Sequence, residues 1–332
     1  MDSLRHVGDL DEMRVLADER RLAILQRLMA APATLTQLGQ AMGKHAAWVR
    51  HHLKQLEDVG LVEPAGTREL PGFVEKYYRA SARAFAVSRV VTPKLAGEGA
   101  LVVTGSHDLA LELLARRYRE SGAGPSMWIV PLGSLDGLIA LRQGLGHLAG
   151  CHLYDAETGD YNLPYVKHLF PGETMALITL AFREQGLIVK EGNPLGLRGL
   201  ADVAAKGARL MNRPRGSGTR LWLDRALADE GLRPEDIAGY GDEVSTHTEV
   251  AHSVATGQAD VGVGILAAAR AEGLGFVPLF RERFELVLYE RDRERSEFVT
   301  LVDLMASQRF REEAEALGGY DLSQCGQVRL SA

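Results

Sequence analysis

Cysteine is nearly missing from this chain of 332 residues. Cys151 and Cys325 are its two, far apart and in no zinc or redox spacing. That excludes a disulfide scaffold, a thiolate zinc site and a Cys-x-x-Cys redox centre. Long apolar runs are missing as well: none approaches the roughly 20 residues that a membrane helix needs. Met1 to Glu12 is acidic and polar, without the apolar core of a secretory signal. The expectation is a cytoplasmic protein with no membrane partner. Catalytic signatures are lacking too. There is no Gly-x-Ser-x-Gly elbow, no Walker loop and no helix carrying two histidines at metal spacing. The chain is therefore not expected to be an enzyme, and no catalytic residue, metal ligand or resident cofactor is assigned. Internal repeats and low-complexity tracts do not occur.

Basic residues are outnumbered. The net charge of −6 argues against a protein that coats nucleic acid along its whole length. The imbalance is uneven, because residues 1–85 are nearly neutral and the remainder holds the acidic excess. With 46% hydrophobic residues the chain can fill the cores of about two or three domains.

What is present is most distinctive at Asn212-Arg-Pro-Arg-Gly-Ser-Gly-Thr-Arg220, just before the apolar, helix-like run Leu221 to Leu227. Glycines let backbone N–H groups approach a ligand, hydroxyls donate, and a helix start adds free N–H groups and a positive dipole end. Such a segment reads as an anion cradle, or as a solvent-exposed basic turn.

The first 85 residues carry a different pattern. Apolar residues recur at helical spacing from Met13 (Val15, Leu16, Leu22, Ile24, Leu25, Leu28) until Ala31-Pro32 breaks the run. Thr34 suits an N-cap for Leu35 to Met42, and Gly43 a tight turn. A further helix runs from about His45 to Val59 and ends at Gly60. Leu61-Val62, a loop with Gly and Pro, and Val74 to Ala80 then read as a wing. The order predicts a winged helix-turn-helix, a DNA-binding module. In the second of its paired helices Val49, Leu53 and Leu56 face the core, whereas Trp48, Arg50, His51 and Lys54 lie off that stripe. A cationic and aromatic face of this kind suits the major groove, the alternative being an ordinary solvated face. The DNA-contacting candidates are His45, Trp48, Arg50, His51, Lys54, Lys76 and Arg79.

Leu16-Ala-Asp-Glu-Arg-Arg-Leu-Ala-Ile-Leu25, Val49-Arg-His-His-Leu-Lys-Gln-Leu56, Gly60-Leu-Val62 and Lys76-Tyr-Tyr-Arg79 resemble the arsenical-repressor (ArsR-type) winged-helix regulators. The resemblance covers residues 10 to 85 and implies a homodimer reading a two-fold symmetric double-stranded DNA operator. Metal-sensing members carry paired cysteines in the helix that corresponds to Leu35 to Met42. This chain has none there, so its signal must arise elsewhere.

After a linker at residues 86–98, strands and helices alternate. Ala100 to Val103, Met127 to Val130 and His147 to His152 read as strands, with helices over Leu109 to Arg119 and from Ser134 to Gln143. The order βαβαβ implies a parallel sheet with ligand at the strands' carboxyl ends. In a second α/β unit, Ala176 to Leu180 and Gly186 to Val189 read as strands. The Asn212 segment then caps a helix, Thr246-His247 opens another, and Gly257 to Gly264 returns as a strand. Gly275 to Leu279 and Phe284 to Tyr289 supply the last strands. Two lobes flanking a cleft would bring together four helix starts, at Ser106, Ser134, Ser217/Thr219 and Thr246. Each hydroxyl, taken singly, is equally readable as a helix N-cap, and His107 and His247 as capping or surface residues. Asp108 and Asp136 suit first-turn dipole compensation.

Gly105-Ser-His-Asp108, Gly133-Ser-Leu135, His152-Leu-Tyr-Asp155, Tyr161-Asn-Leu-Pro164, Gly192-Asn-Pro194, Asn212 to Arg220, Thr246-His247, Gly257-Gln-Ala-Asp260 and Leu317-Gly-Gly-Tyr-Asp321 resemble the type II periplasmic-binding-protein superfamily, in its cytoplasmic molybdate-binding-like branch. That implies a hinged, two-lobed α/β domain over 99–332, with one lobe at about 99–180 plus 286–332 and the other at about 181–285. The ligand candidates are Ser106, His107, Ser134, Tyr161, Asn162, Arg213, Ser217, Gly218, Thr219, Arg220, Thr246 and His247. Molybdate and tungstate receptors of this superfamily use neutral hydroxyls and N–H groups. Arg213, Arg215 and Arg220 depart from that pattern and suit a phosphate or carboxylate, or structural pairs with acids.

The expected function is a one-component transcriptional regulator that senses a small anion: molybdate, tungstate or a phosphate-bearing molybdenum-cofactor species. The alternative is an enzyme or chaperone in molybdenum-cofactor handling, with the winged helix as an interaction module.

Overall fold

The computed structural model describes residues 5–70, 73–87, 100–122 and 126–331. The chain forms two compact units, Met1–Val91 and Thr92–Ala332. Of the expected linker, residues 88–98 lie outside the described residues, as do Pro71 and Gly72 of the wing loop.

The first unit is a winged helix-turn-helix. The periodic run from Met13 forms two helices rather than one, Leu10–Leu16 and Glu19–Ala30. The break is chemical: Asp18 is extended, and its carboxylate accepts from the Arg20 and Arg21 amides to cap the second helix. Thr34 caps Leu35–Met42 through a reciprocal box with Gln37, and Gly43 closes that helix in the left-handed region at φ 63°. The helix Ala46–Asp58 follows, burying Val49, Leu53 and Leu56 against Ile24, Leu25, Leu28 and Leu38. Each such side chain contributes about 1.5–3 kcal/mol of burial. The wing strands, Val62–Leu70 and Phe73–Ala80, are longer than the sequence suggests. Pro64 and Gly66 do not end the first strand, because the ladder absorbs them as a register shift. Arg5–Val7 pairs in parallel with Phe85–Val87, an association that no local pattern announces.

The second unit is an α/β domain of two lobes joined by long antiparallel strands. The sequence reads Ala176 to Leu180 and Gly186 to Val189 as separate strands, and likewise Gly275 to Leu279 and Phe284 to Tyr289. Each pair is in fact one 15-residue strand, Met175–Val189 and Gly275–Tyr289. They pair along their length, with irregularities between Pro278 and Phe280 and between Phe284 and Glu285. These crossing strands belong to both lobes: Glu285–Val287 pairs with lobe 1 and Gln185–Val189 with lobe 2. In lobe 1, Leu148–Cys151 pairs with Gly275–Tyr289 and continues in parallel to Ala100–Gly105 and Ser126–Pro131. In lobe 2, Val261–Ile265 pairs with Met175–Val189 and then with Leu210–Met211. The chain's end returns to the crossing strands, where Tyr320–Asp321 and Val328–Leu330 pair with Met175–Val189. No described helix is long and apolar enough to cross a membrane.

Candidate functional site

The buried polar residues of the second unit gather where the two lobes meet the crossing strands. Arg183 and Glu282 are direct partners in the ladder between those strands. The Arg183 guanidinium donates from Nε to Glu282 Oε1 and from Nη1 to Asp108 Oδ2, each at 2.5 Å, and lies 4.6 Å above the Phe284 ring. Glu282 accepts from Gln185 at 2.6 Å, and its other oxygen lies 2.6 Å from Nδ1 of His152. Nε2 of His152 meets the Ser106 hydroxyl at 2.9 Å, and Gln185 reaches the Thr219 hydroxyl at 2.9 Å. One polar chain therefore runs from lobe 1 through both crossing strands into lobe 2. Burial acts to raise the Glu282 carboxyl, but Arg183 and His152 outweigh it and hold it at about 2. Burial lowers His152, so the ring is neutral at pH 7. Its Nδ1–H then faces the carboxylate, and Nε2 accepts from Ser106.

Beside this network lie polar atoms that are buried and have no partner among the described residues. They are Nη2 of Arg183, Nε and Nη1 of Arg213, both nitrogens of His247, and Nδ1 of His107. Arg213 is 1% exposed and pairs with no carboxylate among the described residues; its Nη2 donates to the Ser245 carbonyl at 2.8 Å. Burial, and then repulsion from Arg183, lowers its pKa to about 10, which still leaves it charged at pH 7. Burial, with Arg213 and Arg183 nearby, holds His247 well below the ordinary imidazole value. The His107 and His247 rings lie 6.4 Å apart. Across the cleft the lobes touch, since the Leu135 amide of lobe 1 donates to the Gly216 carbonyl of lobe 2 at 3.2 Å. Gly218 fits only without a side chain: a Cβ there would lie 2.5 Å from Nδ1 of His152 and 2.6 Å from its carbonyl oxygen. The result is a buried interlobe site that carries cationic N–H groups without partners among the described residues. Chemically it suits an anion.

Of the ligand candidates, Ser106, His107, Ser134, Arg213, Ser217, Gly218, Thr219 and His247 are all buried. Their hydroxyls have separate duties. Ser217 and Thr246 cap their helices, Thr246 in a box with Glu249. Ser106 and Ser134 do not cap: Asp108 caps Leu109–Ser121, and the Ser134 hydroxyl accepts from the His152 amide at 3.3 Å. Arg220 is held within lobe 2 by Asp224, Glu243 and the Arg213 carbonyl, and stacks on Tyr240. Asn162, at φ 62°, bonds Leu153, Arg283 and Glu285, and Tyr161 donates to the Arg281 carbonyl. Arg215 is exposed. Sequence reasoning missed Arg183, Gln185 and Glu282. Phe182-Arg-Glu-Gln185 has no apolar alternation, so no local sequence signal marks the continuous strand there.

In the first unit His45, Arg50, His51, Lys54 and Lys76 are exposed. Trp48 is half-buried, packing edge-on against the buried His52 at 4.3 Å with the Lys44 ammonium 5.8 Å above it. Arg79 pairs with Glu63 at 2.8 Å. Arg50 and Lys76, with Thr34, Thr36 and Tyr78, line one groove between the paired helices and the wing.

Residues 115–306 match the family described as the PBP superfamily domain, and residues 16–65 match a helix-turn-helix domain. The chain belongs to the PBP superfamily. It is 35% identical over 229 residues to the uncharacterised protein YvgK of Bacillus subtilis (strain 168), a match that spans 69% of this chain and 73% of that protein. It is also 38% identical over 109 residues to an uncharacterised Clostridium pasteurianum protein from the 5′ region of a 2Fe-2S ferredoxin gene, covering 32% of this chain and 96% of the relative. Among solved structures, a substrate-binding protein assigned to a phosphate ABC transporter of Clostridium perfringens, solved with bound phosphate, superposes with a TM-score of 0.51 at 15% identity. It covers 67% of this chain and 98% of its own.

Proposed function

We propose that this PBP-superfamily chain is a one-component, DNA-binding transcriptional regulator whose second unit senses a small oxyanion between its lobes. The observation that carries this reading is Arg213, a buried guanidinium with no acidic partner and two donors unpaired among the described residues. An uncompensated buried charge is expensive, and an enclosed anion is the natural remedy. Arg213, Arg183, His247 and His107 would surround the ligand, with Ser106, Ser134 and the Gly218–Thr219 helix start completing its shell. Walls no more than 5% exposed favour a compact tetrahedral ion, molybdate or tungstate, over a larger cofactor precursor. Phosphate, which the Clostridium perfringens protein holds, is the ion to compare.

The winged helix would bind a two-fold operator as a homodimer in the cytoplasm. In this arrangement His45, Trp48, Arg50 and His51 approach base edges, while Lys54, Lys76 and Arg79 meet phosphates. The oxyanion shifts DNA affinity only as far as it binds the two head arrangements differently. A thermal-unfolding screen with molybdate, tungstate, phosphate and sulfate tests the ligand reading, since a ligand at 100 times its Kd adds about 2.7 kcal/mol. Absence of specific DNA affinity, with and without the stabilising ion, would favour a role in which the head only docks proteins.

A further inference from the structure

The interlobe site holds two imidazoles whose hydrogen-bonding capacity is not met among the described residues. His107 lies with Nε2 2.9 Å from Glu112 Oε1, and a carboxylate can only accept, so the hydrogen sits on Nε2. In the neutral ring Nδ1 is then a bare lone pair, and it is buried without a partner among the described residues. His247 has both nitrogens in that state at 0% exposure, and a neutral ring there offers one N–H and one lone pair. An oxyanion oxygen set against either bare nitrogen would oppose lone pair to lone pair in an enclosure of low dielectric.

Charge points the same way. Arg183 is held from both sides by Asp108 and Glu282, so Arg213 is the guanidinium left to meet an anion. One guanidinium does not neutralise a dianion, and the buried site would keep net negative charge. A proton on an imidazole corrects both faults, turning a lone pair into a donor and adding a positive charge.

We propose, on the reading that this interlobe site binds an oxyanion, that binding takes up about one proton from solvent, held by the His247 imidazole. The groups around His247 set its charge. Arg213, Arg183 and His152 face His247 from lobe 2, the crossing strand and lobe 1, and oppose its protonation until the anion enters. Glu249, on the helix that His247 opens, acts on Arg213 in the opposite sense. The sign follows. The imidazole pKa is higher in the complex than in the free protein, so the added affinity is full below the free value and is lost as pH rises through the bound value. Between the two, affinity falls about tenfold per pH unit.

The test is calorimetric titration of the full-length protein with sodium molybdate near neutral pH, in buffers of different ionisation enthalpy. Molybdate is fully deprotonated there, so any proton comes from the buffer. The expected result is a dependence on buffer enthalpy equal to about one proton taken up, with Kd rising about tenfold per pH unit. The variant His247→Gln keeps an amide donor but cannot titrate at that position; it should bind with no uptake and a flat pH profile. Wild-type binding without uptake overturns the inference and leaves the oxyanion reading intact, as the wild-type series alone decides even if the variant misfolds. Equal uptake in a folded His247→Gln variant overturns the assignment to this residue. Failure to bind molybdate, tungstate, phosphate or sulfate overturns the oxyanion reading, and the inference with it.

Discussion

Arg183 and Glu282 stand opposite each other on the two crossing strands, with guanidinium Nε 2.5 Å from carboxylate Oε1 and neither group more than 1% exposed. The pair couples the strands that join the lobes, and through Asp108, His152 and Gln185 it reaches both of them.

Breaking that pair leaves Arg183 with Asp108 as its remaining carboxylate partner. Glu282→Gln should lower stability by about 1.5–3 kcal/mol at neutral pH, the range for a hydrogen bond to a charged group, measured by urea unfolding. The carboxylate is held at about 2 against an ordinary 4.5. Its contribution is therefore fully present above 4.5 and is lost as pH falls towards 2. The gap between wild type and variant should narrow over that window. A gap that stays constant with pH would show that the ionised carboxylate is not what stabilises.

Arg213 should behave in the opposite way. It has no acid to abandon, so Arg213→Ala is expected to leave unfolding stability without oxyanion unchanged or raised. The same variant should remove the stabilisation given by the ion, since a hydrogen bond to a charged group contributes about 1.5–3 kcal/mol, tenfold or more in Kd. Thermal unfolding with and without the ion reads both quantities. A strongly destabilised variant that kept its response would mark Arg213 as structural.

Gly218→Ala introduces a Cβ against the His152 ring and carbonyl. Both atoms are part of a fully buried residue and cannot give way cheaply. The expected effect is a loss of at least tenfold in oxyanion affinity with unchanged DNA affinity in the absence of the ion. Unchanged oxyanion affinity in a titration would mean that the close approach of the lobes at this point is not needed for binding.

In the head, Arg50→Ala should reduce discrimination between operator and random DNA by about 1–3 kcal/mol. Lys76→Ala should weaken both alike and flatten the salt dependence. Anisotropy titrations across a salt series separate the two. An equal loss on both DNAs for Arg50→Ala would place it on the backbone.

Local chemistry was legible in the sequence. The Thr34 cap and the Gly43 turn depend on neighbours within a few residues, and both were readable as such. Ser217 and Thr246 declared themselves only as caps or ligand groups, and side-chain bonding within the first turn shows both to be caps. The crossing strands were not legible. Phe182-Arg-Glu-Gln185 and Arg281-Glu-Arg283 look like polar interruptions, and Arg183, Gln185 and Glu282 within them are buried only because partners about 100 residues away satisfy them. For the same reason Arg213 and Arg220 looked alike. Asp224, four residues on, was a visible partner for Arg220, but Glu243 and the isolation of Arg213 depend on tertiary structure.

The most direct test is the affinity of the full-length protein for an operator selected from random DNA, measured with and without the oxyanion that most raises its unfolding temperature. The account predicts a change of at least about fivefold, the lower end of an allosteric coupling, in wild type and none in Arg213→Ala. Equal DNA affinity in both conditions, with the ion demonstrably bound, would contradict it.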